Sequence, residues 1–95
     1  MTIDKSFRDI ITSEIKKYIH TISKDNTGFK QIWDCDSEKD FLYGWYVSET
    51  HWLCLHLFYD KYEREPKEKE MVDIRQTILE FSKDIREEIK KIKSL

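Results

Sequence analysis

Three residues in the middle of the chain have the types and spacing to do chemistry: Glu49, His56 and Asp60, seven and then four residues apart. At 3.6 residues per turn they fall along one side of a helix, where two carboxylates and an imidazole make a donor set for a divalent metal. Carboxylate sites of the di-iron kind in helical bundles take a Glu-x-x-His pair from each of two helices. Here the residue three after Glu49 is Trp52, so that motif is absent, although two copies together would supply six ligands. The plainer reading pairs Asp60 with His56 one turn away and leaves Glu49 to solvent or to a basic residue. His51 lies on another side of the same helix, and His20 falls near the end of an earlier one, where an imidazolium suits the helix dipole. The chain has no glycine-rich phosphate loop, no Gly-x-Ser-x-Gly elbow and no HExxH. No residue has sequence support for a catalytic role, and no cofactor is implied.

The elements that would position those residues follow from composition and period. Ninety-five residues make one domain, 1–95, with a small core to share out. Two glycines, one proline and no alanine stand beside 25 Ile and Lys residues, so helix breakers are scarce and cohesion must come from isoleucine-rich faces. Ile3, Phe7, Ile10, Ile11, Ile15, Tyr18, Ile19 and Ile22 step by three and four, predicting an amphipathic helix with Thr2 as its cap and an Asp4–Arg8 pair on its outer side. Asp25-Asn26-Thr27-Gly28 is its stop. The stretch FKQIWDCD after Gly28 reads as a packed connector, and Ser37-Glu38-Lys39-Asp40 opens a second helix. A third begins at Pro66 with the seam Met71, Ile74, Ile78, Phe81, Ile85, Ile89 and Ile92, widened by Val72 and Leu79. The expected fold is all-α: an up-down-up three-helix bundle with helices over about 3–24, 37–63 and 67–93 and the middle helix central.

The middle helix carries FLYGWYVSETHWLCLHLFY, 41–59, inside a chain that is 38% charged. Ser48, Glu49, Thr50 and His51 fall at its centre, where a charge in a bilayer costs about 2.5–3.5 kcal/mol, so no membrane span is expected. On a helical wheel the apolar residues divide between two sides. Phe41, Gly44, Trp45, Ser48, Trp52, Leu55, Tyr59 and Tyr62 make a regular seam, expected to meet the other two helices. Tyr43, Tyr46, Val47, Leu53, Cys54 and Leu57 form the second side, expected to meet another copy of the chain, since symmetric homodimers are the commonest soluble oligomers.

With 17 basic and 19 acidic residues the formal charge is −2, so no basic field invites nucleic acid. A nucleic-acid-associated regulator would have to rely on Lys39, Lys61 and Arg64 beside stacking aromatics, a thin provision. Cys35 and Cys54 form neither CxxC nor zinc-finger spacing, which fits unpaired thiols in a reducing cytoplasm. MTIDKSFRDI shows no secretory leader pattern. The composition and periods together point to a small non-catalytic interaction or regulatory module, homodimeric through its middle helix. A helical bundle holding a metal or small ligand at Glu49, His56 and Asp60 is the alternative.

Overall fold

The first apolar stripe forms helix α1, Lys5–Ile22, in a computed structural model that describes residues 2–24 and 38–92. Phe7, Ile11, Ile15, Ile19 and Ile22 are buried, while Ile10 is exposed, so the stripe is narrower than its sequence spacing predicts. Asp4, with extended backbone, is the N-cap residue in place of Thr2. The amides of Thr2 and Ile3 donate instead to Asp73 across the bundle, which holds that carboxyl below the usual aspartate range. Arg8 reaches away from its own helix to Glu80 (2.6 Å) and to the hydroxyl of Thr77 (3.4 Å). The connector FKQIWDCD and the capping pattern at Ser37 lie outside the described residues.

Helix α2, Glu38–Tyr62, touches each of the other described helices. Its buried line is Leu42, Tyr46, Thr50, Cys54 and Phe58, each four residues from the next. The Thr50 hydroxyl donates to the Tyr46 carbonyl at 2.7 Å, which satisfies it inside the core. Burial pushes the Cys54 thiol up to about 12, leaving it neutral and unreactive. Phe7 meets Phe58 and Tyr62 at one end of the bundle, and Tyr18 meets Tyr46 nearer the other, so α1 and α2 run antiparallel.

Residue 63 ends α2 by donating its N–H to the Tyr59 carbonyl at 2.8 Å with φ 55°, the left-handed region that favours glycine. That conformation costs an ordinary side chain about 1 kcal/mol. Glu63→Gly should therefore raise the melting temperature by about 4–8 °C. An unchanged or lower melting temperature would mean that Glu63 makes compensating contacts.

The third segment is two helices, α3 (Glu68–Leu79) and α4 (Ser82–Lys90), so the described residues form four helices where three were expected. At the junction Phe81 donates to the Ile78 carbonyl in a tighter, three-residue step, with φ −102° and ψ 6°. A seam with a seven-residue repeat drifts by about 20° per heptad on a straight helix. The turn resets it, so Ile74, Ile78, Phe81, Ile85, Ile89 and Ile92 all reach the core. Arg86 of α4 lies over the Tyr43 ring near the start of α2, and His20 faces Glu88, which also pairs with Lys91 at 2.8 Å. These contacts put α3 and α4 parallel to α1 and antiparallel to α2, the alternation that the periods predicted. No helix among the described residues is long and apolar enough to cross a membrane.

Glu70 ties the α2–α3 connection. Its two oxygens take the Arg64 guanidinium at 2.9 and 3.0 Å, and one also accepts the Lys67 N–H at 2.8 Å, as an N3 acid does in a capping box. Arg64 and then the Lys67 amide hold the carboxyl down to about 2, against an ordinary 4.5. A depressed acid stabilises the fold fully above its ordinary value and ceases to as pH falls through the folded value. This contribution is therefore complete above pH 4.5 and vanishes toward pH 2. It should amount to about 1–3 kcal/mol, toward the lower end because Arg64 is partly exposed. Acid titration of thermal stability should show a steeper loss for the wild type than for Glu70→Gln; parallel curves would remove Glu70 from the account.

Candidate interaction surface

Both sides of α2 are apolar, and the structure turns it opposite to the expectation. Tyr46 and Cys54, expected at a subunit interface, lie inside the chain's own core. Tyr43, Val47 and Leu57 are half-buried against that core, and Leu53 is half-buried as well. Of the seam expected to be internal, Phe41, Trp45 and Tyr62 pack against the core, but its middle faces outward: Trp52 is 59% exposed and Tyr59 57%. Volume explains the choice. The stripes of α1, α3 and α4 are built of isoleucine and phenylalanine, and Thr50 and Cys54 at the centre of α2 leave room for them where Trp52 would not.

The outward side of α2 is continuous with one side of α3, where Val72 is 44% and Leu79 61% exposed. Two hollows lie along the seam between these helices. One, of about 490 Å³, is bounded by Trp52, Leu55, His56 and Tyr59 of α2 and by Glu65, Pro66 and Met71. The other, of about 430 Å³, lies between Gly44, Val47 and His51 of α2 and Arg75 and Leu79 of α3. A Cβ on Gly44 would meet open space, so no neighbour among the described residues requires a glycine there. His51 Nε2 is buried and has no hydrogen-bond partner among the described residues. Burial, and then the nearby Arg75, push the His51 imidazole below its usual range, favouring its neutral form. Arg75 itself makes no ion pair among the described residues.

Glu49, His56 and Asp60 are all exposed. His56 has its ring 6.3 Å from that of Trp52. Glu49 and Asp60 are separated by about 16 Å along the helix axis, whereas metal–ligand bonds are about 2 Å, so one ion within one chain cannot be held by all three. Among the described residues no three His, Cys, Asp or Glu side chains are grouped to hold a metal. The residues that now stand out are Trp52, Leu55 and Tyr59 of α2 with Val72, Arg75 and Leu79 of α3. A signal for the last three was present: Val72, Arg75 and Leu79 repeat by three and four just off the buried seam, which is the pattern of a second stripe.

Fold and surface together define a small all-helical domain with an apolar aromatic face beside its core. The chain matches no protein-family model, no curated protein and no solved structure.

Proposed function

We propose that this protein is a small non-catalytic interaction module that works as a homodimer, with the outer face of α2 and α3 as its contact surface. The observation that carries this reading is the co-location of Trp52, Tyr59, Val72 and Leu79, each 44–61% exposed, on that one face. Contiguous apolar patches of this kind are uncommon on monomers and are rich in the residue types that anchor interfaces. A second copy is the occupant that suits its size. From Gly44 to Tyr59 the face runs about 24 Å along α2 beside about 18 Å of α3, on the order of 500–800 Å² per copy, which is what a modest specific dimer buries. The buried, neutral thiol of Cys54 suits the reducing cytoplasm, the compartment we assign.

The test is the solution mass, followed by light scattering or sedimentation across a dilution series from about 100 μM to 1 μM, the range in which a contact of this size dissociates. Twice the chain mass at the concentrated end, dissociating on dilution, supports the reading. A monomer throughout refutes it.

A further inference from the structure

We propose that the two copies pack with α2 on α2 and α3 on α3, each pair antiparallel, so that Arg75 of one copy meets the partner's Glu68. The proposal rests on self-association through the α2–α3 face and adds the arrangement of the partner on it. The exposed stripe of α3 is Glu68, Val72, Arg75 and Leu79, with steps of four, three and four. It carries one acid and one base on an otherwise apolar line, and neither makes an ion pair among the described residues.

A two-fold interface must be self-complementary, residue i meeting j while j meets i. Reversing α3 about a point between Met71 and Val72 exchanges residues 68 and 75, which brings both unpaired charges onto opposite charges at once. The same axis suits α2. Met71 borders the hollow lined by Leu55, and Arg75 the one lined by His51, so the axis crosses α2 near Leu55. Reversal there sets Trp52 of each copy between the partner's Leu55 and Tyr59, over the larger hollow. The aromatic knobs and the charged pairs are thus satisfied by one axis. The partner's Glu68 carboxylate also arrives beside the hollow bordered by His51, whose buried Nε2 has no hydrogen-bond partner among the described residues. Moving the axis by two residues, which shifts the register by about one turn, would set Glu68 against Leu79 and Arg75 against Val72, leaving both charges against apolar neighbours.

Charge reversal tests the arrangement. Arg75→Glu and Glu68→Lys are both exposed substitutions, and each alone creates two like-charge contacts per dimer. Each should weaken self-association by about tenfold or more in low salt. Mixing the two variants makes both contacts attractive again, so the mixture should form one-to-one heterodimers, visible by native mass spectrometry, with affinity near that of the wild type. Dimers of either single variant as tight as the wild type, or a mixture without heterodimers, would overturn this arrangement. If Trp52→Glu dissociates the dimer while both charge reversals leave it intact, the face stands as the contact surface and the arrangement falls. A wild type that is monomeric at every concentration removes the face itself, and the arrangement with it.

Discussion

Phe58→Ala is expected to destabilise the fold by about 3–5 kcal/mol, lowering the melting temperature by about 12–40 °C. Phe58 is fully buried at the end of α2, edge-on to Phe7 at 5.4 Å and against Tyr62 at 4.5 Å. The Arg64 guanidinium covers the same ring at 5.1 Å, the arginine that holds Glu70 at the start of α3. Truncation would leave a cavity beside Phe7 and Tyr62 and remove the platform on which Arg64 lies. Because a domain of this length has about 5–15 kcal/mol of total stability, the change takes a third of it or more. Phe58→Leu keeps most of the volume and should cost about 1–2 kcal/mol. Chemical denaturation of the three proteins checks the series; a loss below about 1 kcal/mol for the alanine variant would mean that the cavity collapses or that Phe58 is not central.

The second large effect is on association and not on folding. Trp52→Glu should leave the monomer's stability within about 0.5 kcal/mol, because an exposed position away from caps and ion pairs has little to lose. On the dimer it should act as a central hot spot, weakening association by about 30-fold or more. Within the chain Trp52 has its nearest aromatic partner in His56, at a ring distance of 6.3 Å, and more than half of its surface is open. Introducing a carboxylate there removes the largest apolar side chain of the face and buries a charge on assembly. Sedimentation at several concentrations separates the two quantities. If the variant unfolds at a much lower temperature, Trp52 belongs to the core; if it assembles as tightly as the wild type, the contact surface lies elsewhere.

The two predictions sit on opposite sides of one helix, and they mark where the sequence was informative and where it was not. Phe7, Ile11, Ile15 and Ile19 in α1, and Ile74, Ile78, Phe81, Ile85 and Ile89 in α3 and α4, were legible as core because each segment has one apolar stripe against a charged background. The break at Glu80 and Phe81 was not legible, for no glycine or proline announces it; it answers the drift of a long seam against the rest of the bundle. Local cues at the helix ends were read in part. Spacing suggested an Asp4–Arg8 pair, whereas Arg8 meets Glu80 and Thr77, partners that are distant in sequence and brought to it only by the packing of the bundle.

By itself the amino-acid order determined the helical class, the alternating directions and the presence of more apolar surface on the middle helix than its neighbours can cover. Periods, breakers and connection lengths are local properties, and they suffice for that. Only the tertiary structure decided which side of that helix is inside. Its two sides are close to equal in apolar content, so hydropathy cannot rank them. The ranking came from shape: branched isoleucines from three helices need the small side chains of Thr50 and Cys54 opposite them, and the indole of Trp52 is left to face outward. The same rotation left Glu49, His56 and Asp60 exposed along α2, with His56 at the edge of the hollow beside Trp52, because a helix that turns carries all its side chains with it.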